Sequence, residues 1–88
     1  MYVFTGASAR FSSGLFDSED LARDWIKKHK LTGILTKMPL NQGTYDWAVS
    51  NNYFEPKKDY QKSPKFIQNF ESASLEHIHF EEGECVSD

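Results

Sequence analysis

The chain has 88 residues, a formal net charge of −3, 39% apolar and 15% aromatic side chains, and one cysteine, Cys85. That length argues for one domain with a modest core in which large rings supply much of the buried area. A lone cysteine excludes an internal disulfide framework, and the acidic balance disfavours nonspecific attraction to nucleic acid or anionic membranes.

Residues 2–5, YVFT, are β-branched and aromatic, and predict a first strand. GASA breaks the pattern, and 10–16, RFSSGLF, resumes it as a second strand weakened by Gly14. Between them, small residues surround Arg10. Backbone amides beside a guanidinium can hold an anion, so Arg10 is a candidate anion ligand, although no phosphate-loop glycine pattern accompanies it. An ordinary hairpin loop accounts for the same residues.

DSEDLARDWIKKHKL predicts a helix over about 19–30. Ser18 or Asp17 caps it, acids occupy its first turn and lysines its last, and Leu21, Ala22, Trp25 and Ile26 form the apolar face. LTGILTKM, 31–38, alternates as a third strand that Pro39 ends. Thr44 is then the expected cap of a short helix with Asp46 in its first turn, Tyr45, Ala48 and Val49 on one face, and Asn51 and Asn52 at its end. EPKKDYQK is an irregular basic connector. Ser63 caps and Pro64 starts another helix, with Phe66, Ile67 and Phe70 as its stripe. SASLEHIHFEEG predicts a last strand, with Ile78 and Phe80 facing one way and His77 and His79 the other.

The fold class that follows is α+β: a mainly antiparallel sheet of about four strands with helices on one face, in the order β-β-α-β-α-α-β. Residues 1–83 form the expected single domain and 84–88 a flexible tail. The start MYVFTG has no basic, then apolar, leader pattern, and no run is long enough to span a bilayer, so the expected compartment is the cytoplasm.

Four stretches compete as functional sites. His77 and His79 are spaced to ligate a metal from one strand side, with Glu81 able to share that side; a polar solvent face is the plainer reading. Lys57, Lys58, Lys62 and Lys65 around Tyr60 suggest phosphate and base contacts, against which the acidic total weighs. Cys85 has no catalytic context, no Gly-x-Ser-x-Gly elbow occurs, and no catalytic residue is named. In YDWAV, Asp46 beside Trp47, with Tyr53 following, reads as an interaction hot spot or as a capped helix packing inward.

Five runs, GASARFSSGLFDS, WIKKHKLTGILT, GTYDWAV, SPKFIQNF and SASLEHIHFE, together resemble a family of small bacterial proteins carrying a domain of unknown function. The resemblance covers about residues 2–83, including Tyr53-Phe54 followed by Pro56, Lys57 and Lys58, and leaves out the tail after Gly83. It implies a bacterial single-domain protein and brings no catalytic residues or cofactor with it.

The leading expectation is a noncatalytic protein-binding domain, with toxin-neutralising immunity as its specific form. Asp46, Trp47, Tyr53, Glu81, Glu82 and Glu84 are the candidate contacts to a basic partner, and self-association is an open alternative. The second expectation is a small-ligand or metal-binding domain, with or without enzymatic activity, built on Arg10, His77 and His79.

Overall fold

A computed structural model describes residues 1–87. Its elements in chain order are β1 (Tyr2–Gly6), β2 (Gly14–Phe16), α1 (Glu19–His29), β3 (Gly33–Lys37), α2 (Thr44–Ser50), a 3-10 turn (Asp59–Lys62), α3 (Pro64–Gln68), β4 (His77–Glu81) and β5 (Glu84–Ser87). The class is α+β with an antiparallel sheet, as the alternation predicted. The sheet has five strands in the order β2-β1-β3-β4-β5, and every neighbouring pair is antiparallel.

The chain divides into two compact units, Met1–Met38 with Leu75–Asp88, and Pro39–Ser74. In the first, the register sets the two faces of the sheet. Phe4 lies opposite Leu35, and Leu35 opposite Ile78, so these side chains share the face that receives α1. Phe4, Ala22, Ile26, Leu35 and Phe80 are buried together there. Trp25 closes the cluster edgewise on Phe4 at 5.8 Å between centroids and tilted on Phe16 at 5.4 Å.

Helix α1 begins where Ser18 Oγ accepts the Leu21 N–H. Its inward face is Ala22, Trp25 and Ile26; the fourth residue expected there, Leu21, is 58% exposed. At about 100° per residue, Leu21 lies a full step outside the arc that Ala22 and Ile26 share. The helix ends in a Schellman motif. Lys30 N–H donates to the Lys27 carbonyl and Leu31 N–H to that of Ile26, and Leu31 packs against the core. Lys30 holds the left-handed position, φ 55°, where glycine is the usual occupant. Lys30→Gly is therefore expected to raise stability, by up to about 1 kcal/mol in urea denaturation.

Two strand boundaries differ from the sequence reading. The second strand starts at Gly14, not at residue 10, because the Ser13 N–H already closes onto the Phe4 carbonyl and the residues before it form the loop. The fifth strand lies in 84–87, the stretch read as a tail. It returns through a two-residue turn in which Glu82 (φ 50°) and Gly83 (φ 86°) both take positive φ, as type I′ hairpins require. That turn is tied down by Glu82 N–H donating to Thr32 Oγ1 and Gly83 N–H to the Leu31 carbonyl. Strand β5 bulges at Val86, since Phe80 pairs with Cys85 and His79 with Ser87.

Strands β3 and β4 are neighbours although Pro39–Ser74 separates them in sequence. Thr36 pairs with His77, and the Lys37 N–H donates to the Glu76 carbonyl at 2.8 Å.

The Pro39–Ser74 unit is built on rings. Tyr45 meets Phe54, Phe66 and Phe70 at 5.8, 6.3 and 5.4 Å, and Phe54 meets Phe70 at 5.0 Å. The Tyr45 hydroxyl, carried into this apolar setting, donates to the Gln61 carbonyl at 2.9 Å. Gln61 Oε1 in turn accepts the N–H groups of Lys57 and Lys58. Ser63 caps α3 by accepting the Phe66 N–H at 3.2 Å, with Pro64 at the first helical position as expected. Phe66 and Phe70, four residues apart, point into the cluster; Ile67 is turned outward. Helix α2 is capped by Gly43, not Thr44, which is its first helical residue.

Candidate functional sites

Helix α2 places the acid and the rings of YDWAV in different settings. Asp46 is exposed in the first turn, where a carboxylate complements the helix N-terminus. Trp47 is half-buried, and Tyr53 stacks on it at 5.2 Å and 29°. The stack follows from the helix exit. Asn51 ends α2, Asn52 takes the left-handed conformation at φ 63°, and the Tyr53 and Phe54 N–H groups both return to the Ala48 carbonyl. That reversal sends Phe54 into the ring cluster and lays Tyr53 over Trp47. Tyr53 remains 57% exposed, so one ring supports a second that faces solvent.

The three acids lie around the β4–β5 hairpin. Glu81 and Glu84 are a cross-strand pair and Glu82 forms the turn, all exposed. A negative cluster follows from the turn geometry. A fourth carboxylate, Glu19, is occupied elsewhere, accepting from Arg23 Nε at 2.7 Å. That hydrogen bond is the main reason the Arg23 guanidinium is held even more firmly protonated than usual; Cys85 adds a smaller contribution.

Arg10 is exposed in the β1–β2 loop, 5.7 Å above the ring of Phe11, which is exposed as well. Among the described residues, the structure groups it with an aromatic side chain and with none of the other candidate ligands.

His77 and His79 project from one side of β4, and their rings meet edge to face at 5.4 Å. His77 Nδ1 lies 2.7 Å from the Leu75 carbonyl. Glu81 follows on the same strand side, but among the described residues no three His, Cys, Asp or Glu groups gather to hold a metal. His79 and Glu81 also line an open groove of about 440 Å³ with Thr5, Thr32, Ile34 and Val86. The sequence reading singled out none of these last four. Which strands would lie side by side, and so which of their residues would share a face, was not readable.

These elements define a small α+β domain with an antiparallel five-stranded sheet and an inserted ring-packed segment. No described helix is long and apolar enough to cross a membrane. The chain belongs to DUF7710, a family defined by a domain of unknown function, whose model matches residues 1–86. The match thus takes in most of β5 as well as the five runs quoted above. No curated protein and no solved structure matches the chain.

Proposed function

We propose that this domain binds another protein without catalysing a reaction, and that the partner is a basic one, as a toxin is to its immunity protein. The observation that carries this reading is the Tyr53 ring, exposed yet held in place by stacking on Trp47. A ring fixed before binding loses little conformational freedom on contact, which is why Tyr and Trp dominate interface energetics. Two exposed acidic features support the basic partner: Asp46 beside the stacked pair, and Glu81, Glu82 and Glu84 at the hairpin. Charges of this kind speed encounter more than they hold the complex.

The test is co-expression with the products of adjacent reading frames, followed by titration of any partner that co-purifies. Tyr53→Ala is expected to weaken binding roughly 30-fold, as loss of a hot-spot ring of about 2 kcal/mol does. Replacing Glu81, Glu82 and Glu84 with Gln is expected to slow association and flatten its salt dependence. A partner bound equally well by both variants would remove these contacts from the reading. An adjacent toxin that is neither bound nor neutralised would remove immunity.

A further inference from the structure

We propose that His77 and His79 form a two-imidazole chelate for a late first-row divalent ion of the Cu²⁺ class, with water in the remaining coordination positions. The proposal does not rest on the protein-binding reading above.

Residues two apart on a strand present their side chains to the same face about 6.6–7 Å apart at the backbone. Two imidazoles bound to one metal at about 2.0–2.1 Å, at angles of about 90–110°, place their ring centroids roughly 4.5–5.2 Å apart. The rings of His77 and His79 are already at 5.4 Å and steeply inclined, at 77°. That separation lies just above the range a shared metal requires.

A carbonyl oxygen only accepts, so the 2.7 Å contact makes His77 Nδ1 the donor to Leu75. The neutral ring then carries its lone pair on Nε2. A ligating histidine is characteristically oriented in this way, by a hydrogen bond from its other nitrogen. His79 makes no side-chain hydrogen bond among the described residues, so its ring is not committed elsewhere. The cross-strand neighbours on β3 are Thr36 opposite His77 and Ile34 opposite His79, which bring no cation to the site.

Ligand number selects the metal class. Structural zinc takes four protein ligands, and no third His, Cys, Asp or Glu joins this pair among the described residues. Two nitrogens with water suit the tetragonal preference of Cu²⁺ and Ni²⁺, and Cu²⁺ stands highest in the divalent affinity order.

The experiment uses untagged full-length chain carrying Cys85→Ser, which removes the thiol as a copper ligand and reductant. Cu²⁺ is titrated and followed by calorimetry and by electron paramagnetic resonance. The expected result is one ion per chain with hyperfine structure from two nitrogens. His77→Asn and His79→Asn are each expected to weaken binding by about tenfold or more, since the second imidazole acts at high effective concentration once the first is bound. His29→Asn, on α1, is expected to change nothing. Should a histidine variant fail to fold, Cu²⁺ broadening of the parent's amide resonances decides instead, and must appear first at residues 34–36 and 77–79. Single-nitrogen spectra, unweakened binding in a single-histidine variant, or broadening centred elsewhere would each overturn the site.

Discussion

Phe4→Ala is expected to remove about 3–5 kcal/mol of stability, the usual cost of deleting a buried ring and leaving its cavity. Phe4 is 2% exposed and sits mid-strand in β1, between Gly14 of β2 and Leu35 of β3, with Trp25 of α1 packed edgewise upon it. Its removal opens a cavity where α1 meets β1, and leaves Trp25 only the Phe16 ring on the sheet to pack against. Domains commonly hold only about 5–15 kcal/mol in total, so the variant is expected to lose a large share of its stability. Urea denaturation followed by far-ultraviolet circular dichroism measures it. Leu15→Ala, at an exposed position on neighbouring β2, is the comparison and should cost less than about 0.5 kcal/mol. Equal losses for the two would mean that the α1 side of the sheet is not the core.

Gly33→Ala carries the second large effect, in the opposite sense of volume. Gly33 lies opposite Gly6 on β1, and the Phe4 ring reaches across to occupy the space a side chain would take. An added Cβ would meet the Thr5 carbonyl oxygen, the Phe4 ring carbon Cζ at 2.7 Å and the Gly6 Cα at 2.8 Å. Two of those three atoms are backbone in a paired strand and cannot swing aside. Overpacking of this kind costs about 1–3 kcal/mol, and immovable neighbours put the expectation at or above the upper figure. A Gly33→Ala protein that melts within 1 kcal/mol of the parent would show that the β1–β3 approach is looser than the structure has it.

Much of this core was legible because its signals are local. The cap, acidic first turn, basic last turn and apolar spacing of α1 all reside within a dozen residues, as do Ser63-Pro64 at the start of α3. Ser18 Oγ and Ser63 Oγ accept backbone N–H groups as their positions predicted. Alternation in β4 put Phe80 on one side and the two histidines together on the other, and the Phe80 side is the one that is buried.

What was missed depended on tertiary partners or on an atypical residue. The β4–β5 hairpin escaped because glutamate, rather than asparagine or aspartate, precedes Gly83 in its two-residue turn, and because a polar, acidic stretch reads as tail. Strand β5 is stabilised by pairing with β4, which composition does not encode. The Gly43 cap of α2 bears no side-chain hydrogen bond, so a nearby threonine looked the better choice. At the candidate sites, residue types were readable and neighbourhoods were not. Asp46, Trp47 and Tyr53 could be picked out, but the stack that leaves Tyr53 outermost arises from the left-handed Asn52 and the shared Ala48 carbonyl.

The insertion of Pro39–Ser74 between two neighbouring strands also bears on the order in which the molecule folds. The β1–β2 hairpin and the α1 turns require only short closures, and β3 can join β1 once α1 has formed. Pairing of Thr36 with His77 closes a loop that spans the whole inserted segment, and β5 reaches the sheet only through β4. Loop closure grows only with the logarithm of length, so this arrangement costs little stability, about 0.6 kcal/mol for each doubling. Its burden falls on the rate, because distant pairings are found slowly. Folding should therefore proceed from a β2-β1-β3 nucleus carrying α1, with the β4–β5 hairpin docking last.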